Sequence, residues 1–253
     1  MPNFPSSHVT LITGASTGIG RATAIDFGRQ GSHVAVHYNA SKAEAEKVVA
    51  EIAQGGGKAS LFQAELSQAD EARRLVAEML ETCGRIDVLV NNAGSMLGRT
   101  PFFEMSDEHW QNVMDLNLNS VFWMTKPVAK HMAERGSGAI VNVASVAGRN
   151  GGGPGSSAYA TAKAAVTCLT KALAKELIPH GIRVNAVHPG IILTPFHERY
   201  STPEQMKGML SGVPMKRGGK AEEISPAIVF LASDNASYMT GESIEINGGI
   251  LMD

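Results

Sequence analysis

Two kinds of hydrophobic run alternate along this chain. Short, continuous, β-branched runs at 8–13, 33–38, 59–64, 86–91, 139–144, 182–188 and 243–246 predict buried strands. Between them lie longer stretches with apolar positions three and four apart, which predict amphipathic helices after Gly20 and over 41–54, 68–82, 107–132, 157–178 and 221–233. Ser41 followed by Glu44 predicts a capping box, and Ser106 an N-cap with Asp107 and Glu108 in the first turn. Pro127 predicts a kink. Residues 191–219 have no strong period and predict a short helix after Pro203; a segment this long reads as a substrate lid. Regular alternation of strand and helix predicts the α/β class, a doubly wound parallel sheet of about seven strands with helices on both faces. With no repeat and no linker, 1–253 reads as one domain.

Composition narrows the function. A net charge of −2 advertises no basic face, which argues against nucleic acid as a partner. Cys83 and Cys168 stand in separate patterns that read as buried helix, so neither a metal cluster nor a disulfide framework is expected, and a reduced, cytoplasmic setting fits. The first residues show no basic start and no apolar core, and no apolar run approaches the ~18 residues of a membrane span. The 27 glycines cluster between periodic segments, as loops that approach a ligand closely would require.

Two stretches carry candidate chemistry. Gly14-Ala-Ser16-Thr17-Gly18-Ile19-Gly20 lies between a strand and a helix, where glycines admit a pyrophosphate and the helix end offers unpaired N–H groups. This predicts a Rossmann-type dinucleotide site; a glycine-rich connection without a ligand is the weaker alternative. Tyr159 and Lys163 are four apart on a helix and share one face. An ammonium there favours the phenolate and brings a phenol of pKa roughly 10 toward neutrality. Such a phenol exchanges a proton with a carbonyl or alcohol oxygen. Ser145, at a strand end before a glycine-rich loop, is placed to join them. Taken alone, the pair is equally a helix-surface contact.

Together these motifs resemble the short-chain dehydrogenase/reductase family of NAD(P)-dependent oxidoreductases. TGASTGIG (13–20) is similar to its cofactor turn, NNAG (91–94) to its fourth-strand motif, Pro189-Gly190 with Thr194 to its nicotinamide contact, and SYMTGESIEINGG to its C-terminal signature. Asn117, Ser145, Tyr159 and Lys163 fall at its active-site positions. The resemblance implies hydride transfer between nicotinamide and a small-molecule carbonyl or secondary alcohol. Tyr159 would be acid/base, Lys163 would hold the ribose and lower the tyrosine pKa, Ser145 would hold the substrate oxygen, and Asn117 would anchor a water; Asn117 is equally a buried residue tying down a helix irregularity. Cofactor contacts would come from Gly14, Ser16, Thr17, Gly18, Ile19, Gly20, Tyr38, Asn39, Ser41, Glu65, Leu66, Asn92, Ala93, Gly94, Tyr159, Lys163, Pro189, Gly190, Ile192 and Thr194. Glu65 reads as well as a solvated surface residue. Tyr38 and Asn39 stand where an acidic residue would select NAD(H), so NADP(H) is favoured, although Thr17 replaces the Arg or Lys of many NADP-dependent relatives. Met96, Leu97, Phe102, Phe103, Phe196, Met206, Met209 and Leu210 offer apolar substrate walls. An alternative substrate is a 3-oxoacyl group on an acidic carrier protein; Arg135 and His180 are the basic residues in the stretches where such reductases carry arginines. A catalytically silent sensor or scaffold would usually lack the Tyr, Lys or Ser. The family is mostly tetrameric, with Trp110, Phe122 and Trp123 as candidate contacts.

Overall fold

The computed structural model describes residues 3–252. The strands are β1 (Val9–Ile12), β2 (His33–Tyr38), β3 (Lys58–Gln63), β4 (Val88–Asn91), β5 (Gly138–Val143), β6 (Ile182–Pro189) and β7 (Ser243–Ile246). They form one all-parallel sheet in the order β3-β2-β1-β4-β5-β6-β7. The helices are α1 (Gly18–Arg29), α2 (Lys42–Gln54), α3 (Ala69–Cys83), α4 (Asp107–Met114), α5 (Ser120–Arg135), α6 (Ala147–Asn150), α7 (Ser157–Leu177), α8 (Pro195–Tyr200), α9 (Pro203–Ser211) and α10 (Ser225–Ala232).

The central strands are apolar on both sides because their two faces pack against different helical layers. Ile12, Val36, Val90 and Val141 point into a core shared with α1, α2 and α10. Their neighbours Leu11, Ala35, Leu89 and Ile140 point into a core shared with α3, α5 and α7. Full burial of a side chain such as Leu11 or Phe27 contributes about 1.5–3 kcal/mol. The strand order reverses between β1 and β4, and a sheet of this kind opens a crevice at the carboxyl ends of its strands there.

Several local expectations are corrected. Ser41 makes no side-chain cap and Glu44 pairs with Lys47 at 2.7 Å, so the capping box at α2 is not formed. Ser106 does cap α4, accepting from the His109 N–H at 3.1 Å. The break in the long helix falls at a π-helical turn, Asp115–Asn119, while α5 runs through Pro127 to Arg135. Cys168 is exposed on α7 and Cys83 is half-buried. Residues 191–219 contain α8 as well as the expected α9, and their ends are joined by the Leu193 N–H to Gly219 O (2.8 Å) and Gly219 N–H to Ile191 O (2.9 Å) bonds. No described helix is long and apolar enough to cross a membrane.

Candidate active site

A cleft of about 650 Å³ runs along the carboxyl ends of the strands. Its first half is the turn between β1 and α1. Gly14 has φ +63° and Gly18 φ +55°, conformations that side chains rarely tolerate. A Cβ on Gly20 would lie 2.2 Å from Gly14 O and 2.5 Å from Asn92 Nδ2. Gly20 is therefore a packing residue beneath the turn and, against expectation, does not line the cleft. Tyr38 is also corrected: it packs against the core on the α1 and α2 side, and its neighbours His37, Asn39, Ala40 and Ser41 line the cleft.

Two residues that sequence reasoning passed over hold this half. His37 Nδ1 accepts from the Gly14 N–H at 3.0 Å, and Nε2 donates to Ala64 O at 3.1 Å. Both bonds require the neutral imidazole, and burial lowers its pKa to about 4. Thr13 Oγ1 accepts from the N–H groups of Asn92 (2.9 Å) and Ala93 (3.0 Å), tying the motif after β4 to the turn after β1. Asn92 returns the contact, donating to Thr13 O and Gly14 O. Thr17 does not cap α1 through its side chain, and no acidic residue stands in the first turn. A helix start without either device suits an anionic group. At the far end, Asn39 donates to the Glu65 carboxylate, which also accepts from Ser67 Oγ at 2.9 Å.

The second half gathers residues distant in sequence. Ser145 follows β5, while Tyr159 and Lys163 sit on the first turns of α7; all three line the cleft. Lys163 is buried and donates to Val143 O at 2.8 Å, and burial lowers its pKa to about 8. Its Nζ lies 5.8 Å from the Tyr159 ring centroid. The expected lowering of the phenol by this ammonium is not what the geometry gives. Burial pushes Tyr159 up to about 12, opposed by a hydrogen bond with Ser145. Asn117 lies buried in the π turn behind the cleft. Its amide donates to Ser95 O (2.7 Å) and Val113 O (2.8 Å) and accepts from the Ser95 N–H (3.0 Å), so the side chain fixes the helix irregularity to the loop after β4. A Cβ on Gly94 would lie 2.7 Å from Asn117 Oδ1 and 3.2 Å from Lys163 Nζ, which places Asn117 one residue away from the lysine.

The roof comes from α8. The Phe196 ring lies 5.7 Å from Tyr159 and 5.3 Å from Tyr200. Tyr200 OH meets Ser95 Oγ at 2.6 Å. Of the expected apolar walls, Met96, Leu97, Phe196 and Met209 line the cleft; Phe102, Phe103, Met206 and Leu210 do not. Beneath the floor, His188 bridges Thr167 Oγ1 (2.9 Å) and Glu245 (2.6 Å), joining α7 to the last strand. Arg135 lies at the amino ends of the central strands, clamped to Asp87 at 2.7 Å, away from the cleft at their carboxyl ends. Asn39, Ser41, Glu65, Leu66, Ala93, Pro189, Gly190, Ile192 and Thr194 all line it as expected.

A glycine-tight turn at the point of strand reversal, joined in one cleft to a half-buried tyrosine and a buried lysine, defines a nicotinamide-dependent oxidoreductase. The comparisons with known proteins agree. The family model described as Enoyl-(Acyl carrier protein) reductase matches residues 14–251. The chain is 44% identical over 248 residues to a 3-oxoacyl-[acyl-carrier-protein] reductase of Synechocystis, covering 98% of each chain. It is 41% identical over 243 residues to the reductase of the same name from Staphylococcus epidermidis, covering 96% of this chain and 98% of the relative. The crystal structure of an NADH-dependent reductase responsible for alginate metabolism superposes with a TM-score of 0.90 at 33% identity, covering 97% of this chain and 98% of that one. The chain belongs to the short-chain dehydrogenase/reductase family, oxidoreductases acting on CH–OH groups.

Proposed function

We propose that this protein reduces a carbonyl group to a secondary alcohol, with Tyr159 as the proton donor. The observation that carries this reading is the convergence of Ser145, Tyr159 and Lys163 on the cleft that the glycine turn opens. Burial keeps the phenol protonated at neutral pH, which is the form that gives a proton to a carbonyl oxygen. Ser145, hydrogen-bonded to the phenol, shares the charge that develops on that oxygen. Lys163 is the cation beside them, and Asn117 fixes the loop that covers it.

The residues fit a nicotinamide dinucleotide. Gly14, Ser16, Thr17, Gly18 and Ile19 would hold its pyrophosphate, Asn39, Ser41, Glu65 and Leu66 its adenosine, and Asn92 to Gly94, Lys163, Pro189, Gly190, Ile192 and Thr194 its nicotinamide half. The bound cofactor supplies the hydride. NADP(H) is supported by Asn39 and Ser41, polar and uncharged, at the end of β2. One observation favours NAD(H) instead: the Glu65 carboxylate sits on Asn39 and would repel a 2′-phosphate. Glu65→Gln then raises the NADPH/NADH ratio of kcat/KM about two- to fivefold, the scale of one exposed charge contact.

The relatives' names support a 3-oxoacyl thioester as substrate. Carrier docking through Arg135 is not available. The segment 191–219 is read as the lid of one catalytic domain. A homotetramer is supported by exposed Trp110 and Phe122 on α4 and α5. The deciding experiment follows reduced-nicotinamide absorbance with NADPH and NADH against an acetoacetyl thioester, a β-keto ester, simple ketones and keto sugars. Oxidation by any of them is the expected result. Silence across the panel with tight cofactor binding overturns the reading in favour of a sensor.

A further inference from the structure

Arginines in this chain keep company with carboxylates. Arg85 and Arg135 clamp Asp87, Arg149 takes Glu245, Arg217 takes Glu223, and Arg74 takes Glu71 and Glu78. Arg21, Arg29 and Arg73 are paired in the same way. Arg183 donates to the carbonyls of Leu231, Ala232 and Ser233, with Asp234 near enough to act on its charge. Two arginines remain, Arg99 and Arg199, and both line the catalytic cleft.

Arg99 is half-buried in the loop after β4. Its Nε donates to Tyr200 O at 2.8 Å and its Nη1 to Pro154 O at 3.2 Å, both neutral acceptors. Burial alone acts on its charge, and no carboxylate opposes it. A guanidinium has five N–H donors, so most of its capacity faces elsewhere. Arg199 is exposed on α8, next to the tyrosine whose carbonyl holds Arg99. Among the described residues, Glu65 is the one carboxylate lining the cleft, and it lies at the other end, on Asn39 and Ser67. Two cations thus line one end of the cleft with no described carboxylate lining it beside them, an arrangement that attracts an anion. Paired guanidinium forks match the oxygens of carboxylate and phosphate.

We propose that the substrate carries an anionic oxygen group, carboxylate or phosphate, remote from the reacting carbonyl and held by Arg99 and Arg199. The aromatic series Tyr159–Phe196–Tyr200 separates the phenol from these cations and sets that remoteness. The proposal rests on the oxidoreductase reading and adds the substrate's charge to it.

Two matched pairs test it: 7-oxooctanoate against methyl 7-oxooctanoate, and acetoacetyl-coenzyme A against acetoacetyl-N-acetylcysteamine. The expected result is a kcat/KM preference of roughly tenfold or more for an anionic member, the scale of one charged hydrogen bond. Preference for 7-oxooctanoate assigns a free oxo acid; preference for the coenzyme A thioester assigns a phosphate-bearing tail. Arg199→Gln, which disturbs neither bond of Arg99, should lower the anionic-to-neutral ratio about tenfold, and Arg199→Lys should restore most of it. Equal or better turnover of the neutral members overturns the proposal alone. So does a ratio unchanged in both Arg199→Gln and Arg99→Gln. No turnover of any member, nor of the simple ketones and keto sugars, with either cofactor overturns the oxidoreductase reading and this proposal with it.

Discussion

The two halves of the cleft are built by different physics. The cofactor half is held by closely approaching backbone: positive-φ glycines, a Cβ-free approach of α1 to β1, and the side chains of Thr13, His37 and Asn92 bonded to that backbone. The reaction half is held by side chains from distant segments, Ser95 to Tyr200, Arg99 to Pro154 and Phe196 to Tyr159. A rigid cradle and an adjustable roof suit a constant ligand and a variable one, and the contrast can be broken from either side.

The largest effect is on chemistry. Tyr159→Phe should cut turnover by at least ~10²-fold while a fluorescence titration finds cofactor affinity within about twofold of the parent. Loss of affinity in proportion would show that the halves are not separable. Next comes packing. Gly20→Val should cost about 1–3 kcal/mol in urea unfolding, because its side chain enters the turn. Gly208→Ala, on α9 with nothing within 4 Å, should cost nothing and gain up to about 1 kcal/mol of helix propensity.

A titration sharpens the same contrast. His37 takes a proton near pH 6.5 when unfolded and at about 4 when folded. The unfolded state therefore binds more protons in this window, and stability falls as pH drops from 6.5 to 4. His37→Ala removes this component of the acid sensitivity and costs about 1–3 kcal/mol at pH 7 by leaving buried polar groups unpaired. Unfolding midpoints at pH 7, 5 and 4 check both. The smallest effect belongs to the roof. Tyr200→Phe deletes the bond to Ser95, worth about 1 kcal/mol, and should raise KM about fivefold with kcat nearly unchanged.

The cofactor half was largely legible in the sequence because its constraints are local. A glycine needed for a turn stands beside the turn, and continuous apolar runs with both neighbours buried are readable as central strands. Tyr38 was misread because the strand's alternation carries it into the core and leaves His37 and Asn39 at the cleft. Gly20 was counted as a contact although it acts one layer below. The Tyr159–Lys163 spacing revealed the pair but not its electrostatics, since burial outweighs the neighbouring charge. The roof was hidden for another reason: the Ser95–Tyr200 bond spans 105 residues, and no local pattern encodes such a meeting.

The last strand has a consequence for how the protein is made. Gly190 N–H bonds to Ile246 O at 2.9 Å, and a Cβ on Gly190 would lie 2.6 Å from Asn247 Cα. The nicotinamide end of the cleft thus leans on residues that are made well after Gly190 itself. A chain still on the ribosome can form the β1–α1 turn early, with its partners from β2 and β4, yet it must wait for β7 before the nicotinamide end is complete. During synthesis, the pyrophosphate turn can therefore take shape before the end of the cleft where hydride transfer would occur.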